Sequence, residues 1–137
     1  MPKHRNLLKF CTAMSGLLFS VLFATSTQAQ SLNNQLFDRL SSAAPKLNPS
    51  VLEAAFKATQ CAISNGTAMP ERLAVIDFSL PSSEERLWLF DLADGSLVLR
   101  ELVAHGKNSG DREASAFSNI EGSHQSSIGL FQARESY

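Results

Sequence analysis

His105 and His124, nineteen positions apart in a serine- and glycine-rich stretch, are the only histidines beyond residue 29. Imidazole is the side chain best suited to proton transfer near neutral pH, so these two are the first candidates for acid–base work. Ser109, Ser123, Ser126 and Ser127 lie close by in sequence, the combination a serine hydrolase needs. The strained strand-to-helix elbow that exposes such a serine has the pattern Gly-x-Ser-x-Gly, and it does not occur here. Asp111 and Glu113 add oxygen ligands that could join the histidines on a metal. Two histidines nineteen apart match no recognised zinc spacing, so no metal and no cofactor are expected. Polar residues in loops usually satisfy backbone groups, and capping or hydrogen bonding within the loop is the expected role of both histidines.

Cysteine chemistry has one other carrier. Cys61 is the only cysteine beyond residue 29, which excludes a disulfide framework within that part and any cysteine-rich zinc site. It lies in a helical pattern with no basic residue within three positions, whereas reactive thiols need an electropositive surrounding. Unpaired cysteines are among the most buried residues, so Cys61 is expected to be a packing residue.

The elements that must carry these residues read as follows. Leu32 to Leu40 is a short amphipathic piece with Leu36, Phe37 and Leu40 on one side, broken by Ser41-Ser42-Ala43-Ala44-Pro45; it suits a docking helix or a mobile leader. The clearest helix follows. It starts either with Ser50 and Glu53 as a capping box or with Asn48 as the cap and Pro49 in the first turn. Leu52, Ala55, Phe56, Thr59 and Ile63 give it one apolar face, and Asn65-Gly66 ends it. Leu73 to Phe78, with β-branched Val75 and Ile76, then predicts a buried strand. Leu87 to Leu92 predicts a second. Asp94-Gly95 predicts a tight turn with positive φ angles, and Ser96 to Ala104 a third strand. Ile128 to Ala133 predicts a fourth. The fold class is α+β and β-rich, with an N-terminal helix or helices followed by an antiparallel meander. The connection 105–127, with three glycines and six serines, is long enough to be functional in its own right.

Residues 1–29 read as a secretory signal peptide. Lys3, Arg5 and Lys9 precede an apolar core from Phe10 to Ala24, and Thr27-Gln28-Ala29 supplies the small residues of a cleavage site before Gln30. About fifteen apolar-dominated residues fall short of the roughly twenty that span a bilayer, so no stable membrane anchor is expected after cleavage near Ala29. Of the 137 residues, 12 are basic and 13 acidic; the first 29 hold three basic and no acidic ones, leaving −4 on the remaining 108. That balance lacks the clustered cations of a nucleic-acid binder. The organisation expected is a signal peptide over 1–29, a polar leader with a short helix over 30–48, and one small domain over 49–137.

Four stretches carry a family resemblance: Arg72-Leu73-Ala74-Val75-Ile76-Asp77-Phe78-Ser79-Leu80-Pro81, Leu87-Trp88-Leu89-Phe90-Asp91-Leu92, Leu102-Val103-Ala104-His105-Gly106-Lys107-Asn108-Ser109-Gly110, and Ser123-His124-Gln125-Ser126-Ser127-Ile128-Gly129-Leu130-Phe131. In this order they resemble the murein L,D-transpeptidase catalytic-domain family, over roughly residues 50–137. The resemblance implies the first half of a β-sandwich, a periplasmic or secreted location, and peptidoglycan stem peptides as partners. It also implies acyl transfer: a cysteine thiolate attacks a stem-peptide carbonyl, a histidine takes the thiol proton, and an amine resolves the thioester. In that family the histidine and cysteine stand in a His-Gly and then a Ser-x-Gly-Cys pattern. Neither His105 nor Cys61 falls in it, so the resemblance implies no catalytic residue in this chain and places the nucleophile region beyond Tyr137. It makes 49–137 a truncated domain, inactive by itself. What carries over is scaffold, the strands around Trp88 and Leu102, and a candidate cleft wall at His105, Gly106, Asn108, Ser109 and Gly110; Trp88 and Phe90, in an apolar strand, read as core aromatics. The alternative is a noncatalytic cell-envelope binding module that uses the 105–127 loop.

Overall fold

A computed structural model of the chain describes residues 33–133. The signal peptide expected over 1–29 lies outside the described residues. The chain divides into units of residues 1–34 and 35–137, and the second holds the fold.

Residues 33–43 form a helix, α1. The second helix, α2, runs Pro49–Ser64 and starts at Asn48, whose side chain accepts from the Ser50 amide at 2.9 Å. Of the two starts the sequence offers, the asparagine cap with proline in the first turn is the one formed. Asn65 closes the helix, with Gly66 following at a φ of 96°. Leu52, Phe56 and Thr59 are buried, as their spacing requires of one helix face.

Three strands follow, β1 (Arg72–Ile76), β2 (Leu87–Asp91) and β3 (Leu97–Glu101), paired antiparallel in the order β1-β2-β3. β1 is buried on one face only. Leu73 and Val75 point into the core, while Ala74 and Ile76 are exposed. The apolar run from Leu73 to Phe78 therefore makes a half-buried strand, shorter than its hydrophobicity suggests. The pairing continues past its end, since the Asp77 amide donates to Arg86 O at 2.9 Å and the Arg86 amide to Glu101 O at 3.1 Å.

The β2–β3 turn differs from the expectation at Asp94. Only Gly95 has a positive φ, of 76°, so one left-handed residue closes the loop. The Gly95 amide donates to Asp91 O at 3.0 Å, and Val98 is the extra residue between the Phe90–Leu97 and Leu89–Leu99 pairs. Hydrogen bonds from Ser96 hold the Asp94 carboxyl below its ordinary value. Glycine is required at 95 on a second count: a Cβ there would stand 2.7 Å from the Arg39 Cβ of α1.

The core collects Leu40, Ala44 and Leu47 from α1 and the turn after it, Leu52 and Phe56 from α2, and Leu73, Val75, Trp88, Phe90 and Leu92 from the sheet. Phe37 packs on Phe56 with ring centroids 5.5 Å apart. α1 thus contributes to the same core as the sheet. Trp88 and Phe90 are fully buried, the place expected of core aromatics.

The fourth strand expected over Ile128–Ala133 does not form. Those residues pair with no strand, and Ile128, Leu130 and Phe131 are exposed. An extended segment needs a ladder partner for its backbone groups. Ile128 finds a substitute in one side chain: its amide donates to Asn119 Oδ1 and its carbonyl accepts from Asn119 Nδ2, both at 3.1 Å.

Candidate functional site

The five cleft-wall candidates lie in and beside one tight turn in the chain that follows β3, with His105 and Gly110 flanking it. The Ser109 amide donates to Gly106 O at 2.8 Å, closing residues 106–109 into a reverse turn. That turn is locked against the stretch 123–126. Ser126 Oγ accepts from the Gly106 amide at 3.0 Å, and Ser109 Oγ accepts from the Ser126 amide at 2.7 Å. The Asn108 amide donates to His124 O at 3.1 Å, and its side-chain Nδ2 to Ser123 O at 2.9 Å. Gly106 is needed here, because a Cβ on it would collide with the backbone from His124 to Ser126.

Ser109 is fully buried and serves as the hub. Its carbonyl accepts from the amides of Ser115 at 2.7 Å and Ala116 at 3.0 Å, which folds the far limb of the loop onto the same turn. The serine that invites a hydrolase reading is therefore occupied with backbone groups. Lys107 and Asn108 are the exposed residues of the turn, between half-buried Gly106 and buried Ser109.

His105 sits at the turn's entrance, half-buried, with both ring nitrogens engaged: Nδ1 is 2.8 Å from Arg86 Nη2 and Nε2 is 3.2 Å from Gly110 O. His124 is exposed and left-handed at a φ of 56°, and it joins the turn through its carbonyl. His105 thus joins the turn through its ring, on Gly110, and His124 through its carbonyl, on Asn108. Among the described residues no three of His, Cys, Asp and Glu come together.

Arg86 is the residue that sequence reasoning missed. It is fully buried just before β2. Nε and Nη2 donate to Val103 O at 3.1 and 3.0 Å, Nη1 to Leu80 O at 2.8 Å, and the guanidinium lies 5.0 Å from the centroid of the Phe78 ring. Burial lowers its pKa, yet arginine remains protonated in proteins. Phe78 in turn packs on Phe117 at 5.5 Å, joining the 105–127 loop to the sheet a second time. Beside this, Asp77 is buried with its Oδ1 accepting from the Ser79 amide at 2.9 Å and hydroxyl at 2.6 Å. The signal available was a charged residue abutting the apolar run Leu87–Phe90, a place where a solvated arginine is unusual.

Cys61 is exposed, contrary to the packing role expected of it. The reason is angular. Nine positions beyond Leu52 at about 100° each put it on the opposite side of the helix from the buried face. Its sulfur lies 3.4 Å from Asn65 Nδ2.

The model of the L,D-transpeptidase catalytic domain matches residues 43–137, well over half of the chain. The chain belongs to that family. No curated protein and no solved structure matches it. In this L,D-transpeptidase domain the matched region takes in α2, the whole sheet and the 105–127 loop, so the Arg86–His105 contact lies within the family's own territory. Peptidoglycan is the substrate of the family in general. Among the described residues, no helix of the L,D-transpeptidase chain is long and apolar enough to cross a membrane.

Proposed function

We propose that this is an exported L,D-transpeptidase-type protein that engages peptidoglycan stem peptides, with His105, Gly106, Asn108, Ser109 and Gly110 forming one wall of the peptide cleft. The observation that carries the reading is the family match over residues 43–137. The turn supports the role assigned to it. Its shape is held by hydrogen bonds to the 123–126 stretch, one of them from the Asn108 side chain, while Lys107 and Asn108 stand exposed to meet a peptide. A rigid support of that kind is what a binding wall requires.

The chemistry assigned to the whole reaction is acyl transfer through a thioester, and this chain by itself does not perform it. Cys61 stands on the exposed face of α2 without the Ser-x-Gly-Cys setting, and both ring nitrogens of His105 are already bonded. A thiol nucleophile needs a base or a nearby positive group to activate it, and Cys61 Sγ meets the Asn65 side-chain amide.

The test is to titrate the isotopically labelled chain with tetrapeptide muropeptides, following amide resonances and reaction products together. Localised shifts at Lys107 and Asn108 with no turnover are expected. Absence of shifts there sinks the cleft wall, and turnover that survives Cys61→Ala overturns the thiolate reading. Material recovered from the periplasm should begin at Gln30 by intact mass; retention of residues 1–29 there defeats the export reading.

A further inference from the structure

Arg86 is a buried cation for which no carboxylate among the described residues serves as ion-pair partner. Removing an ion from water costs several kcal/mol, so its surroundings must compensate with neutral groups. Val103 O, Leu80 O and the Phe78 ring do so from three sides. The fourth side is His105 Nδ1, at 2.8 Å. A guanidinium has only donors and accepts from nothing. Nδ1 must therefore present its lone pair. On the other side of the ring, Nε2 faces Gly110 O at 3.2 Å, and a carbonyl oxygen only accepts. Nε2 must carry the proton. Two independent contacts thus demand the same neutral tautomer.

We propose that Arg86 is the positioning residue of the 105–127 loop: its guanidinium fixes His105 as the Nε2–H imidazole and, through that ring, holds Gly110 and the Ser109 hub in place. The line of support runs from the sheet end through Arg86 and His105 to Gly110, next to Ser109, onto which Ser115, Ala116 and Ser126 are tied. Phe117 closes the circuit on the ring that Arg86 overlies. An apolar residue would fill a core site at lower cost, since replacing buried ionic groups by apolar ones is often neutral or stabilising. What an apolar residue lacks is a donor that selects one histidine tautomer. The value of the latch to peptide binding rests on the cleft-wall reading above; the latch itself does not.

The experiment uses the whole chain labelled with 15N. Long-range proton–nitrogen correlations report the His105 tautomer, and amide exchange reports the loop. In the native protein, Nδ1 is expected unprotonated and Nε2 protonated. Arg86→Met should leave His105 as a tautomer mixture and speed exchange of the Ser126 and Ala116 amides by roughly tenfold or more, as losing a charge-assisted hydrogen bond implies. Amides of α2 should change less. His105→Phe should release the same loop amides with Arg86 retained, and the double variant should add little, because both changes break one coupled unit. If Arg86→Met fails to fold, the native tautomer and His105→Phe still decide. An Nδ1–H ring or an imidazolium in the native protein at neutral pH overturns the proposal, and so do fully additive losses in the double variant. Muropeptide shifts read on the same samples separate the two claims: a correct tautomer without shifts rejects the cleft wall alone, and shifts with the wrong tautomer reject the latch alone.

Discussion

At the scale of single residues, side chains suited to chemistry turn out to differ in how free they are. Ser109, the best-placed hydroxyl, is buried and accepts a hydrogen bond from the backbone, and His105 has no free ring nitrogen. Cys61 is the reverse, with little reason in sequence to be reachable and an exposed position on α2. A thiol reagent should therefore label native Cys61 nearly as fast as the denatured chain. Cys61→Ser should change stability by no more than about 0.5 kcal/mol, the usual range for a surface substitution away from special features. Slow native labelling that denaturant accelerates, measured by mass spectrometry, would restore the buried role. The error in the packing expectation was one of angle: position 61 lies within a helical pattern between Gln60 and Ala62, but the buried stripe runs through 52, 56 and 59.

At the scale of elements, local signals and tertiary contacts both act on the β2–β3 hairpin. The sequence pair Asp94-Gly95 marked the turn, but the number of left-handed residues was set by the ladder that the bulge at Val98 permits. Gly95→Ala should cost about 1–3 kcal/mol for the forced left-handed backbone. The contact with Arg39, 2.7 Å from the added Cβ, increases that loss. Gly66→Ala is the control, since Gly66 has a φ of 96° but no atom within 4 Å of the added carbon. Chemical denaturation of the two variants should show Gly95→Ala as the more destabilised. Equal losses would mean that α1 yields freely and does not brace the hairpin.

At the scale of the molecule, the fold is one helical layer against one face of a three-stranded sheet. Leu40 is fully buried although it comes from the short amphipathic piece that suited either a docking helix or a mobile leader. Leu40→Ala should therefore cost about 2–5 kcal/mol, the range for removing a large aliphatic side chain from a packed core. A loss below about 0.5 kcal/mol, the surface range, would show that α1 is dispensable. The other sheet face pairs Ile76 with Leu87 and Leu89 with Leu99, and Ile76 and Leu99 remain exposed there.

The sequence by itself determined the α+β order, the place and end of α2 with two alternative caps at its start, the three-strand meander, the burial of Trp88 and Phe90, and the family. These are legible because caps, turn residues and hydrophobic period act between neighbours a few positions apart, and the family resemblance lies in contiguous stretches of residues. Tertiary structure alone decided what depends on partners distant in the chain. Arg86 is buried because Val103 and His105, seventeen and nineteen positions later, return to it with acceptors. Ile128–Ala133 has the composition of a strand but, among the described residues, no neighbour to complete its ladder, and Ile128 alone pairs with the Asn119 side chain. The candidate turn at 105–110 owes its shape to the 123–126 stretch, reached across a loop whose composition predicts no regular structure. Hydrogen bonds of that span follow from chain geometry, which no local pattern encodes.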